Sequence, residues 1–234
     1  MIFNRPFRGC GRHFEFFSSL LDILFSSGPG DTAAAMPKVK EEVFLNIPYD
    51  PQFSRLYYAY IAGLSAMSLV PRATLEISGN RRLDRIVGLL ESCAYSIHDL
   101  SRVQLDREKP RTPRFNMPFE LGLAVAWSHA HPRHRWYVFE AVERRLAKSL
   151  SDLDGTDPYI HGGTVSGVMR EVCNAFVSPG EKPTVPRMMR MYRKLRGNSL
   201  RIMQDAGAHS IFTARVFSDL CLAVAGLRSK YLGT

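Results

Sequence analysis

Between residues 43 and 141 the chain alternates short apolar runs with helix-length stretches, and this alternation constrains the fold more than any other feature. VFLNI at 43 to 47 is closed by Pro48, Tyr49, Asp50 and Pro51, the signature of a buried strand feeding a turn. Residues 52 to 67 follow with Phe53, Leu56, Tyr57, Tyr60, Ile61 and Leu64 at helical spacing. Residues 69 to 76 read as a second strand, ahead of Gly79 and Asn80. Residues 81 to 93 form an amphipathic helix with Leu83, Ile86, Val87, Leu89 and Leu90 inward and Arg81, Arg82, Asp84 and Arg85 outward. AYSIHDL at 94 to 100 is the third strand, 118 to 130 an apolar helix, and RWYVFEA at 135 to 141 the fourth strand. Such alternation predicts a parallel sheet with helices on both faces. Ligands of such sheets sit outside the carboxyl ends of the strands. Here those ends carry residues 46 to 50, residues 98 to 102 and the loop closing on Glu120.

The rest of the chain is organised around that unit. With 234 residues and 45% hydrophobic content it can bury one domain plus appendages, which excludes disorder and collagen-like repetition. Residues 1 to 42 read as an N-terminal arm in which Met36 is an alternative natural start, residues 43 to 150 as the α/β domain, and residues 151 to 234 as a helical extension. That extension has helical stretches at 164 to 177, 186 to 204 and 210 to 231, a candidate surface for a second copy or another protein. No uncharged apolar run is long enough to span a bilayer. Cys10, Cys93, Cys173 and Cys221 lie far apart without a CxxC pair, so no metal site is expected, and the sparse thiols predict a reducing, cytoplasmic setting. The net charge of +9 favours anionic partners. Arg187, Arg190, Arg193, Lys194, Arg196 and Arg201 in one helix raise nucleic acid as a partner, against the competing reading of a solvated face over a core.

The chemistry is concentrated between residues 98 and 120. In MPFELGLA, Pro118 suits the first helical position, which makes Met117 the cap and puts Glu120 in the first turn. Free N–H groups and the helix dipole there would keep Glu120 ionised, as a carboxylate nucleophile or base. Its competing role is an N-terminal cap. Asp99 at the same sheet edge would pair with Glu120, one carboxylate addressing an anomeric carbon and the other holding sugar hydroxyls. His98 alternates with Asp99 along the strand, so at most one is expected to face a ligand. Ser101 stands beside them, and Arg102, Arg107, Lys109, Arg111 and Arg114 are candidate phosphate ligands. Asn46, Tyr49 and Asp50 lie where a ribose or base edge would rest, or else serve the turn. GxGxxG, the P-loop and the GxSxG elbow are all missing.

The order VFLNIPYD, RLDRIVGLLESCAYSIHDLSR and RFNMPFELGLAVA resembles the nucleoside 2-deoxyribosyltransferase-like and TIR-like group of flavodoxin-like domains, some of them bacterial and linked with defence systems. The resemblance covers residues 43 to 141 and implies a flavodoxin-like parallel sheet flanked by helices, followed by the C-terminal helical extension. It implies that Glu120 attacks or stabilises C1′ of an N-glycoside, with Asp99 and Asn116 on the sugar side and Asn46 and Tyr49 bordering the base. The expected activity is N-glycosidic bond cleavage of a nucleotide, nucleoside or NAD, taken as substrate, with no cofactor. The alternative is a non-catalytic nucleotide-sensing or protein-interaction module.

Overall fold

The computed structural model describes residues 41–76, 81–103, 109, 112–153, 155–177 and 183–232. All but the last two residues of the expected arm lie outside these, as do Gly79, Asn80, Arg107 and Arg111. Five strands form one sheet: β1 Glu42–Asn46, β2 Val70–Arg72, β3 Tyr95–Asp99, β4 Arg135–Glu140 and β5 Tyr159–Ile160. Every pairing is parallel and the order is β2-β1-β3-β4-β5, the flavodoxin-like α/β arrangement. The order reverses between β1 and β3, where Asn46 is the register partner of His98. Seven helices are described: α1 Ser54–Ala66, α2 Arg82–Ser92, α3 Asn116–Ala130, α4 Arg145–Ser149, α5 Val165–Ala175, α6 Val185–Asp205 and α7 Ala214–Leu232.

The second strand is shorter than its sequence run. Pro71 has no N–H to give, which confines β2 to the sheet edge. Past Arg72 the chain turns, with the Glu76 carboxylate accepting from the Ala73 N–H and from Arg72. In the polar segment from 151 to 163, expected to be a connection, the two-residue strand β5 pairs with β4. Gly162 and Gly163, both at positive φ, then turn the chain into α5, whose first turn is capped by the Thr164 hydroxyl on the Gly167 N–H.

The α1 pattern predicts one buried side, yet residues 56 to 66 are buried all round. The reason is that α1 lies between two layers. Ile97 and Phe139 of the sheet share its core, and so do Met169 and Val172 of α5, Met188, Met191 and Leu195 of α6, and Phe217 and Leu220 of α7. Small residues on α1 allow this approach: a Cβ added at Gly63 would lie 3.3 Å from the Met169 sulfur. The opposite sheet face carries a separate cluster of Leu100, Met117, Leu121, Val138 and Leu146, which brings in α3 and α4. Among the described residues, no helix is long and apolar enough to cross a membrane.

Candidate functional site

The carboxyl edge of the sheet gathers the residues singled out in sequence, but in three separate groups. The first surrounds Glu120. Helix α3 begins at Asn116 with Phe115 as its cap, two residues earlier than Pro118 suggests, so Glu120 is the fifth helical residue and lies beyond the first turn. Pro118 is tolerated because an N–H in the first turn has no intrahelical acceptor anyway. This corrects the electrostatic expectation for Glu120. Its side chain is 2% exposed, and burial pushes its carboxyl above the ordinary range; the Arg82 guanidinium and the Asn116 amide pull the other way. Arg82 Nη2 donates to Glu120 Oε1 at 3.0 Å, and the Arg82 side chain is itself half exposed. A guanidinium from α2, rather than the helix dipole, is therefore the countercharge.

Tyr49 belongs to the same group. Its hydroxyl donates to the Leu45 carbonyl at 3.1 Å, and burial, with the nearby Glu120, raises its pKa against the opposing pull of Thr74 and Arg82. Asn46 ties strand to helix. One amide nitrogen donates to His98 Nδ1 at 2.9 Å and to the Met117 carbonyl at 3.1 Å.

His98 is fully buried and holds the middle of a longer chain. Because Asn46 donates to its Nδ1, its proton sits on Nε2 and goes to Ser96 Oγ at 3.0 Å. Ser96 in turn donates to His134 Nε2 at 3.0 Å, and His134 Nδ1 donates to the Cys93 carbonyl at 2.9 Å. Every donor finds an acceptor only if both rings are neutral. Burial agrees, taking the His98 pKa down to about 3 and lowering that of His134. His98 is thus a fixed link in the sheet rather than a group facing solvent.

The second group surrounds Asp99. Tyr60 and Ile97 share one face of the sheet with it, whereas Asn46, His98 and α3 lie on the other. Asp99 is 0% exposed and accepts from the Tyr60 hydroxyl at 2.7 Å, the Ser101 N–H at 2.9 Å and the Ser101 hydroxyl, while His161 Nε2, whose hydrogen bond goes to Ser101 Oγ at 3.2 Å, lies 3.2 Å from Oδ2. Three donated hydrogen bonds and the adjacent imidazole engage both oxygens of the carboxylate. Asp99 and Glu120 therefore have different partners and arrive from opposite faces, unlike the paired carboxylates expected from sequence.

Ser101, His161 and Asp99 lie within 3.2 Å of one another, which invites comparison with a nucleophilic triad. The proton positions are wrong for it. The Gly163 N–H donates to His161 Nδ1, so Nε2 carries the proton and cannot take one from the serine, whose hydroxyl is given to Asp99.

Asp50 forms a third cluster at the same edge. Its Oδ1 caps the Phe53 N–H, while Oδ2 lies 2.9 Å from Arg114 Nη1 and 3.1 Å from Arg102 Nε. Arg102 Nη1 donates to Gln52 at 2.7 Å, and its Nε approach to Asp50 is electrostatic rather than an aligned hydrogen bond. Two cations against one anion leave a positive excess beside the start of α3.

Arg82, Tyr60, Thr74 and His161 escape the sequence reading. For Arg82 a signal exists: in parallel α/β units each crossover helix begins at the carboxyl edge, so its first residues border the site whatever their polarity. Among the described residues, no group of three or more His, Cys, Asp or Glu is arranged to hold a metal ion. Two described surface cavities, of about 590 and 310 Å³, lie at the opposite, amino edge and share Arg135, Tyr137, Ala175 and Val177. Comparison with protein-family models, curated proteins and solved structures finds no match to this chain.

Proposed function

We propose that the chain cleaves an N-glycosidic bond in a nucleotide-like substrate, with Glu120 as the group that meets C1′. The observation carrying this reading is a buried carboxylate of raised pKa at the point where the strand order reverses, with a half-exposed guanidinium as countercharge. In the reaction, Arg82 swings outward and an oxygen of Glu120 forms a bond to C1′. The C1′–N bond breaks with its electron pair leaving on the base. Water then attacks C1′ and releases the Glu120 carboxylate; its oxygen becomes the hydroxyl of the free sugar and its other proton passes to the departed base or, where the base leaves neutral, to solvent. Arg102 and Arg114 offer positive charge to a phosphate, Asn46 holds the start of α3 to β1, and the Asn116 amide supports the Glu120 carboxylate. Asp99, with its oxygens engaged by Tyr60 and Ser101, serves as a positioning residue.

A second reading has its own support. Glu120 is 2% exposed and already paired, as a carboxylate that never reacts would be, which favours a nucleotide-sensing module without turnover. Incubating the purified protein with NAD, nucleotides and deoxynucleosides and measuring free base by chromatography separates the two. Base release by the wild type and its loss in Glu120→Gln, with folding intact, is the expected result. Binding without release supports the sensing module, and undiminished release by Glu120→Gln ends the glycosidase reading.

A further inference from the structure

Among the described helices, α6 carries the largest net charge. Its 21 residues carry six Arg or Lys against a single acid, Asp205, and so supply five of the nine net positive charges. One face is committed to the core, where Met188, Met191 and Leu195 are each 0% exposed. At about 100° per residue, Arg190, Lys194 and Arg201 fall in one narrow stripe on the outer side, spanning roughly 16 Å of helix, with Arg193 flanking it. All four side chains are exposed, and among the described residues Arg190, Arg193 and Lys194 have no acidic partner. Arg201 approaches Asp205 at 3.7 Å, with both side chains mostly in solvent, a contact that holds little. Gly197 occupies the stripe position between Lys194 and Arg201. A Cβ there would meet nothing within 4 Å, so the stripe has a bare notch where an anion can reach the helix.

We propose that this stripe binds the phosphate backbone of a nucleic-acid duplex, independently of the sheet-edge site. The charge pattern selects the partner. A membrane-adsorbing helix would need an apolar face free to enter the lipid, and here that face is consumed by the core. Arginine outnumbers lysine five to one along the helix, and its planar fork suits phosphate oxygens. Contact is to the backbone, so sequence preference is not expected.

The test is fluorescence anisotropy of the full chain with a labelled mixed-sequence DNA duplex across a salt series. Four phosphate contacts give a slope of log K against log salt of about −3.6, and about a 150-fold loss of affinity between roughly 50 and 200 mM. Arg190→Gln with Lys194→Gln halves that slope to about −1.8. Arg215→Gln with Lys230→Gln on α7 leaves it unchanged. Both pairs are exposed, and an unchanged circular-dichroism melt shows that the fold is intact. A wild-type slope shallower than about −1 overturns the proposal, as does an α6 double variant that keeps the full slope. Binding to phosphatidylserine vesicles but not to the duplex, with the same α6 dependence, also overturns it in favour of a lipid surface.

Discussion

Replacing Asp99 with Asn separates a carboxylate that holds the fold from one that holds a substrate. Both oxygens are engaged: Oδ1 accepts from the N–H and hydroxyl of Ser101, and Oδ2 accepts from the Tyr60 hydroxyl, with the His161 Nε2–H 3.2 Å away. An amide presents one oxygen and one NH2 group, so whichever way it turns the NH2 meets one fixed N–H, of Ser101 or of His161, and one hydroxyl whose proton must turn away, in a site with 0% exposure. Hydrogen bonds to a charged group contribute about 1.5–3 kcal/mol each and an opposed buried donor costs about 1–3 kcal/mol, so losing one bond and opposing one N–H costs about 3–5 kcal/mol. For a domain of this size that lowers Tm by roughly 6–20 °C. Tyr60→Phe removes one donor only and should cost about half as much, since Oδ2 keeps His161. Thermal unfolding by circular dichroism measures both. An Asp99→Asn variant melting within about 2 °C of wild type refutes the argument from engaged oxygens. Combined with lost base release, that result would return Asp99 to the sugar contact expected from sequence.

Two further outcomes follow from buried groups. His98 is neutral when folded with a pKa of about 3, whereas the unfolded side chain titrates near 6.5. The unfolded state therefore takes up a proton first as pH falls. Its contribution to stability is complete above about pH 6.5 and declines below it, by about 2 kcal/mol between pH 7 and 5. Nitrogen NMR should find the His98 ring neutral and protonated at Nε2 at pH 5, and an imidazolium signal there would contradict the hydrogen-bond chain. Gly167→Ala is predicted to destabilise by about 1–3 kcal/mol through overpacking, read as a lower urea midpoint. The new Cβ would sit 1.9 Å from the His161 carbonyl oxygen. An unchanged midpoint would show that the turn carrying His161 yields freely.

The fold was more legible than the site because the two depend on different ranges along the chain. Strands β1, β3 and β4 announce themselves as apolar runs bounded by turn residues, and the crossover helices by their periodicity. β5 escaped because two residues in a polar segment carry no pattern, and with it went His161. The all-round burial of α1 depends on helices more than 100 residues later in the chain. The site is made of contacts of that kind: Arg82 with Glu120, His161 with Asp99, Arg114 with Asp50. Arg82 reads locally as a solvated helix residue and Tyr60 as core; only their tertiary neighbours give them polar work. The start of α3 was misplaced because Pro118 is favourable throughout the first turn, and preference alone cannot choose among its positions.

The two borders of the sheet have a bearing on how copies of this protein can meet. β2 is three residues long, one of them the donorless Pro71, and β5 only two. A visiting strand would find too few amides and carbonyls to zip onto, so growth by edge-to-edge stacking is discouraged at both ends. Any lasting association through the described part of the molecule is left to side chains on its helical exterior.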